Sequence, residues 1–136
     1  METSCGVVLV NYGTILLLQY PQGHWDLPKG HVETTDVDKK STAARELEEE
    51  TGISELQFID GFEENTNYSF KHKGRKRHKR VIWFLATTEK ISVKLSKEHR
   101  EYMWLDWELA IDMTTHTETK GIITKAKLHM EKLGID

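Results

Sequence analysis

Two short apolar runs near the start of the chain predict a pair of β-strands. Residues 5–11 and 14–20 are rich in β-branched and aliphatic side chains, and Gly13 stands between them as a turn residue. A loop at 21–30 follows, bracketed by two prolines. The chain therefore begins with two adjacent strands and a long loop, before any helical pattern appears.

Residues 37–51 have the apolar spacing of an α-helix. Asp36 or Asp38 can supply the N-cap, and Gly52 suits the left-handed position just past the C-terminus. Apolar residues that gather on one side of the helical wheel are expected to face the core. They are Val37, Ala43, Ala44, Leu47 and Thr51.

The second half of the chain predicts further strands and then two helices. Residues 55–70 indicate either one long strand or a bent pair of strands, with a bulge or kink at Gly61. The apolar strand 81–88 follows a hairpin tip around Gly74. The last predicted elements are a short strand at 102–107 and helices at 107–113 and 117–133. This mixture is typical of an α/β sandwich with a mixed central sheet.

Composition narrows the class of protein. The chain has 136 residues and a net charge of −3, which excludes a generally basic nucleic-acid-binding coat and an acidic disordered tail. We expect one domain over residues 1–136. The single cysteine, Cys5, excludes an internal disulfide and an all-cysteine metal site. Because no apolar run approaches about 20 residues and the start does not look like a signal peptide, we expect a cytoplasmic protein without a membrane segment.

The charge is unevenly distributed along the chain. Residues 71–80, here called the basic hairpin, carry seven Lys and Arg residues and no acidic one. The rest of the chain holds 12 basic and 22 acidic residues, a net charge of −10. A strongly acidic region and a strongly basic ribbon in one small protein are the first indication of function.

Three glutamates of the predicted helix, Glu46, Glu49 and Glu50, fall within about 100° of one another, opposite the apolar side. Carboxylates at this spacing repel one another unless a cation lies among them, and Mg²⁺ prefers such oxygen ligands. Alternatively, the run is a solvated helix face on which Arg45 pairs with Glu49 across one turn. The helix alone leaves both interpretations open.

The segment around this helix resembles a known motif. Residues 30–53 are similar to the Nudix box, G-x5-E-x7-R-E-U-x-E-E-x-G-U, where U is aliphatic, and the second half is matched throughout from Arg45 to Ile53. The first half departs twice: Asp36 stands where the first glutamate belongs, and the gap from Asp36 to Arg45 is one residue too long. The resemblance implies a Nudix-type α/β/α sandwich that hydrolyses a phosphoanhydride.

The same resemblance implies a metal site. Glu46, Glu49 and Glu50 would hold one or more Mg²⁺ ions, helped by the Gly30 carbonyl, with Mn²⁺ as a substitute. Such ions neutralise charge on phosphate oxygens and lower the pKa of a bound water.

A narrower resemblance, to the asymmetrical diadenosine tetraphosphate hydrolases, runs from about Cys5 to Leu105. It rests on HWDLPKGHVE at 24–33, on VIWFLA at 81–86 and on LSKEHREYMWL at 95–105, with GF and NY between them. It implies a small nucleoside polyphosphate as substrate, with diadenosine tetraphosphate cleaved to ATP and AMP.

This resemblance also implies catalytic roles for Glu49, Glu98 and Arg45. Glu98, in the segment LSKEH, is the candidate general base or a further metal-linked carboxylate. Arg45 would orient a glutamate rather than touch the substrate. Alternatively, Glu98 has no catalytic role and only caps a turn.

Four substrate contacts follow from the same resemblance. Lys29 and His31 would contact phosphates, Lys79 would reach the polyphosphate, and Tyr68 would stack on an adenine. As alternatives, Lys29 and His31 are plain loop surface, and Tyr68 is a half-buried strand aromatic.

The basic hairpin is longer and more basic than we expect of these hydrolases. It would clamp the polyphosphate, receive the 5′ end of an RNA, or be a solvated tip without a partner. Two other functions therefore stay open beside dinucleotide hydrolysis: an RNA 5′-pyrophosphohydrolase or decapping-type Nudix enzyme, and a non-catalytic Nudix module that binds nucleotide or RNA. The sequence makes no prediction of the oligomeric state.

Overall fold

A mixed β-sheet forms the centre of the protein, in a computed structural model that describes residues 2–135. Within that range the strands are β1 (Glu2–Asn11), β2 (Thr14–Gln19), β3 (Trp25–Asp26), β4 (Lys29–His31), β5 (Gln57–Phe58), β6 (Glu64–His72), β7 (Arg75–Thr87) and β8 (Glu101–Asp106). The helices are α1 (Lys39–Thr51), α2 (Trp107–Met113) and α3 (Thr117–Leu133). The prediction of an α/β sandwich with a mixed sheet is confirmed.

Strand β1 organises the sheet. It runs parallel to β7 along nine paired positions, from Glu2 with Lys79 to Val10 with Thr87. On its other edge it pairs antiparallel with β4 at its start and with β2 at its end. Strand β6 pairs antiparallel with β7, and β8 pairs antiparallel with β2.

Alternation along the strands gives the sheet two covered faces. On one, here called the α1 face, Val7 and Leu9 of β1 share a buried cluster with Leu47 of α1. On the other, the α3 face, Val8 and Val10 pack in a cluster that also holds residues of α2 and α3. Helices therefore lie on both sides of the sheet. None of the helices between residues 2 and 135 combines the length and the apolar character needed to cross a membrane.

Helix α1 begins later than predicted. Asp38 is the N-cap and accepts a hydrogen bond from the Ser41 backbone N–H at 2.8 Å, whereas Val37 lies before the helix and is 90% exposed. Gly52 ends the helix with a φ of 77°, as predicted. The expectation that Val37 packs in the core is wrong, because Asp38 caps the helix and the first helical residue is Lys39, two positions after Val37.

The assignment of Glu50 to the side opposite the core is also wrong. Glu50 is only 6% exposed, and it is buried together with Leu47 and Thr51. Glu50 lies three positions after Leu47, and residues at this spacing are neighbours on a helix surface. Glu50 therefore lies at the border of the apolar face.

Of the two alternatives for residues 55–70, the structure has the pair of strands: β5 and β6 are separated by a turn in which Gly61 has a φ of 86°. The hairpin around Gly74 is confirmed. Lys73 and Gly74 both have positive φ, at 52° and 75°, which is the type I′ geometry that suits a two-residue hairpin loop. Strands β3 and β4 were not predicted, because runs of two and three residues carry no detectable period.

Candidate active site

Strand β4 separates two groups of candidate residues. It pairs with β1 so that Lys29 lies opposite Gly6, and His31 lies opposite Ser4. Paired and alternate residues share a face, so both side chains leave the sheet on the α3 face. Gly30 faces the opposite way, and a Cβ built on it would overlap the carboxyl group of Glu46. The backbone of β4 and the Glu46 carboxylate are therefore packed against each other on the α1 face.

Glu50 lies beside the same strand. Its Oε1 accepts a hydrogen bond from the Lys29 backbone N–H at 3.1 Å, and its Oε2 lies 3.5 Å from Nε2 of His99. Burial raises the pKa of Glu50 to about 9, and the nearby charge of Glu46 adds to this shift. Burial likewise raises the pKa of Glu46 to about 7, with Glu49 as the next cause. The cations near Glu46 and Glu50 therefore do not offset the cost of burying two negative charges.

Arg45 is the cation in contact with Glu46 and Glu49. Its Nη1 lies 3.1 Å from Glu49 and 3.7 Å from Glu46, while Nη2 donates to the His31 carbonyl at 2.8 Å. Its Nε donates to Asp36 at 2.9 Å. Arg45 therefore ties the helix to β4 and fixes the position of Glu49.

Asp36 holds Arg45 in place despite the extra residue that separates them in the sequence. It also accepts hydrogen bonds from the Glu33 backbone N–H at 2.8 Å and from the Thr42 hydroxyl at 2.7 Å. The hydrogen bond from Arg45, followed by those from Glu33 and Thr42, holds the pKa of Asp36 well below its usual range. The segment between β4 and α1 thus absorbs the insertion without breaking the contact.

A shallow cleft of about 250 Å³ opens beside the helix glutamates. Glu46, Glu49 and Glu50 line one wall, and Ser96, Lys97 and Glu98 line the other. The sequence-predicted Glu98 is therefore brought to the three helix carboxylates across more than forty residues of chain.

The four candidate substrate residues lie on the α3 face. Tyr68 of β6 pairs with Lys79 of β7, and the parallel register of β1 and β7 puts Lys79 on the same face as Lys29 and His31. Lys79 is half-buried, and burial, with the charge of Lys29, lowers its pKa. Tyr68 is also partly buried, and its hydroxyl lies 3.2 Å from that of Thr66.

The comparison with known proteins agrees with this geometry. The family described as NUDIX domain matches residues 2–126. The chain belongs to the Nudix hydrolase family. Two proteins named asymmetrical bis(5′-nucleosyl)-tetraphosphatase are similar to it. The mouse protein is 40% identical over 114 residues, covering 79% of this chain and 74% of that protein, and the Caenorhabditis elegans protein is 31% identical over 112 residues, covering 81% and 80%.

A solved structure aligns with this chain over nearly the full length of both. A crystal structure of a C. elegans Ap4A hydrolase binary complex superposes with a TM-score of 0.83 and 28% identity, covering 97% of this chain and 99% of that one. The resemblance to the Nudix hydrolases and to the asymmetrical diadenosine tetraphosphate hydrolases, predicted from sequence, is thereby confirmed.

The donor set fits the divalent cation that this family generally uses. Within residues 2–135, no three acidic, histidine or cysteine side chains already surround one point as a metal cage. The carboxylates of Glu46 and Glu50 nevertheless supply hard oxygen ligands, both largely withdrawn from solvent. The Glu46 carboxylate occupies the space beside Gly30 that the side chain of any other residue would fill. A small cation would favour the charged form of both carboxylates, against the burial and the mutual repulsion that raise their pKa values.

Sequence reasoning missed four residues that lie beside this Nudix site: Tyr20, His24, Asp26 and His99. The Lys29 ammonium pairs with the buried Asp26 at 2.9 Å and lies 5.3 Å from the Tyr20 ring centre. Tyr20 stacks on His24 at 4.8 Å and meets His99 edge-on at 4.6 Å.

The signal that could have found them is proximity in the sequence. Three of them precede Lys29 by at most nine residues, and His99 directly follows Glu98. Their meeting, however, depends on the pairing of β2 with β3 and β8, which no local pattern reports.

Proposed function

We propose that this Nudix hydrolase cleaves a phosphoanhydride bond of a nucleoside polyphosphate in a Mg²⁺-dependent reaction, with diadenosine tetraphosphate giving ATP and AMP as the favoured substrate. The observation that carries the proposal is the pair of largely buried carboxylates, Glu46 and Glu50, packed beside β4 and facing Glu98 across one cleft. The names of the similar proteins support the choice of substrate.

Glu46, Glu49, Glu50 and the Gly30 carbonyl would hold Mg²⁺, with Mn²⁺ as a substitute. When bound, the metal supplies neutralisation of phosphate charge and a water of lowered pKa. The chain's own contribution is to hold these oxygens in place. Lys29 donates its backbone N–H to Glu50, and so fixes that carboxylate against β4.

Three residues are proposed to act in catalysis. Arg45 positions Glu49 through its 3.1 Å contact, and its guanidinium is held by the hydrogen bond that its Nε donates to Asp36. Glu98 and Glu49 both line the cleft, which supports a role for either in accepting a proton from an attacking water. Glu98 is our candidate general base.

Lys29, His31 and Lys79 are proposed to bind the phosphates, and Tyr68 to stack on an adenine. The support is their common α3 face, where the two lysines and the histidine lie on neighbouring strands. Two carboxylates lie near them: Asp26 pairs with Lys29, and Glu2 is opposite Lys79 in the register. Lys29 already pairs with Asp26, so it is held in position before a phosphate arrives.

The test is a Glu50→Gln variant assayed with a panel of nucleoside polyphosphates in ¹⁸O-labelled water and Mg²⁺, with products identified by mass. We expect at least about 1,000-fold loss of kcat, because the variant removes a charge that the transition state requires. Glu48→Gln is the matched control: it makes the same change on the exposed side of the same helix. It should keep wild-type turnover.

The label identifies the phosphorus that is attacked, and the panel ranks the substrates. Full wild-type activity in EDTA would contradict the metal proposal. Binding of nucleotides without any product after long incubation would favour a non-catalytic Nudix module instead.

A further inference from the structure

The basic hairpin is a regular two-stranded ribbon whose faces are fixed by its register. β6 and β7 pair continuously from Glu64 with Trp83 to His72 with Arg75, and the Lys73–Gly74 turn closes the ribbon with the favoured hairpin geometry. Directly paired side chains lie on the same face and about 5 Å apart at their Cβ atoms. The chemistry of each face can therefore be assigned.

On the α3 face of the ribbon, aromatic rings stand beside cations in three successive pairs. They are Tyr68 with Lys79, Phe70 with Arg77, and His72 with Arg75. Successive pairs are about 6.8 Å apart, so the rings form a stripe of about 14 Å. We call these six residues the ring–cation ladder.

The opposite face of the same ribbon has a different composition. Its pairs are Ser69 with His78 and Lys71 with Lys76, and the Ser69 hydroxyl lies 3.0 Å from Nδ1 of His78. Two lysines give this face charge but no regular aromatic stripe. The next pair on this face, Asn67 with Arg80, brings its cations to three, the same number as in the ladder. Only the ladder adds the large rings of a tyrosine and a phenylalanine.

The ladder is continuous with the candidate active site. Its first pair, Tyr68 with Lys79, consists of proposed substrate residues on the same face as Lys29 and His31. Beyond that pair the side chains are exposed, including Phe70, whose large apolar ring is 39% accessible. A dinucleotide held at the first pair does not account for two more pairs that extend away from the cleft.

We propose that the ring–cation ladder binds the first nucleotides of a single-stranded RNA whose 5′-polyphosphate passes Lys29 and His31 of β4 toward the glutamate cleft on the other side of that strand. Rings stack on unpaired bases irrespective of sequence, and the neighbouring cations neutralise the phosphates between them. The substrate class is then a 5′-polyphosphorylated RNA in addition to a free dinucleotide. The hydrolysis of that RNA rests on the proposed function, whereas the binding of the strand does not.

The alternation of rings and cations favours a single strand over other polyanions. A duplex keeps its bases stacked on one another and offers no free base face to Phe70. An anionic membrane would be attracted by both faces of the ribbon, since charge alone draws it.

Binding is measured by fluorescence anisotropy, using a 3′-labelled single-stranded RNA of about 12 nucleotides with a 5′-triphosphate. The buffer contains EDTA to prevent turnover, and the salt is varied between about 50 and 200 mM. Arg75→Gln with Arg77→Gln removes two charges from the ladder. Lys71→Gln with Lys76→Gln removes two charges from the opposite face and is the matched control.

The ladder variant should weaken binding at least tenfold and reduce the salt slope by about 1.4, because each phosphate contact contributes about 0.7 on a single strand. The control variant should lose less than about threefold. Phe70→Ala should weaken binding about fivefold or more with an unchanged salt slope, since it removes a stacking platform rather than a charge.

Equal losses in the two double variants would overturn the proposal, as would equal affinity for duplex RNA or tighter binding to vesicles containing phosphatidylserine. Turnover in Mg²⁺ separates this proposal from the proposed function. If diadenosine tetraphosphate is hydrolysed while both double variants bind RNA alike, only the ladder proposal fails. If no nucleotide is hydrolysed but binding depends on the ladder, only the proposed function fails.

Discussion

Replacing Gly30 by alanine tests whether the Glu46 carboxylate must lie against the backbone of β4. A Cβ at this position would overlap all three carboxyl atoms of Glu46. To regain an ordinary van der Waals distance, the carboxylate would have to retreat by about 1.5 Å. The atoms that must move are the end of a flexible side chain, so the strand has no reason to shift.

The variant should therefore separate catalysis from stability. A displacement of about 1 Å at a catalytic group can cost about 100-fold, so we expect kcat to fall by at least that factor. The free energy of unfolding should change by less than about 1 kcal/mol, because Gly30 does not have a positive φ and alanine fits its backbone.

The assay measures product formation from diadenosine tetraphosphate at saturating Mg²⁺, with urea denaturation of the same samples. Gly121→Ala is the control, since Gly121 lies in α3 and a Cβ there meets nothing within 4 Å. It should keep its turnover and gain up to about 1 kcal/mol of stability from better helix propensity. Wild-type kcat in Gly30→Ala, or a loss of several kcal/mol of stability, would refute the packing argument.

Three further predictions follow from the fold and the site. Gly6→Ala should cost at least about 2 kcal/mol in urea denaturation, because its Cβ would overlap the Trp83 ring and lie 2.6 Å from the Pro28 carbonyl oxygen, and neither can retreat freely. A neutral effect would show that β4 can move. Arg45 holds the pKa of Asp36 below its value in the unfolded chain, so this carboxylate stabilises the fold above about pH 4 and loses that effect as the pH falls further. The difference in free energy of unfolding between wild type and Asp36→Asn should shrink between about pH 6 and pH 3, and a constant difference would contradict the assignment. Adding Mg²⁺ to EDTA-treated protein should raise Tm in a thermal shift assay, since the ion binds the folded state; no rise at millimolar Mg²⁺ would count against the metal site.

The helix and its glutamates were predictable because their geometry is local. A spacing of three or four residues puts side chains on one stripe of any α-helix, so Glu46, Glu49 and Glu50 could be grouped before the structure was known. The error at Glu50 is also instructive. A helical wheel divides the residues into a buried side and an exposed side. In the packed helix a residue can also lie where the two sides meet, and Glu50 lies there beside Leu47.

The other half of the site depends on strand pairing between distant segments. The meeting of Tyr20 with His99 requires β2 to lie next to β8, and the shared face of Lys29 with Lys79 requires the register of β1 with both β4 and β7. No period within a single segment reports such pairing. Those contacts could be anticipated only through the resemblance to a family, residue by residue.

The alternation along β4 limits where this chain can change its length. The segment between His31 and the helix holds one residue more than the Nudix box, yet Asp36 still reaches Arg45. An extra residue between Pro28 and His31 would instead reverse the two faces, so that a side chain would point at Glu46 and the residues proposed to bind phosphate would lie on the wrong side. The three residues of β4 thus act as a spacer of fixed length, and we expect insertions to accumulate only after it.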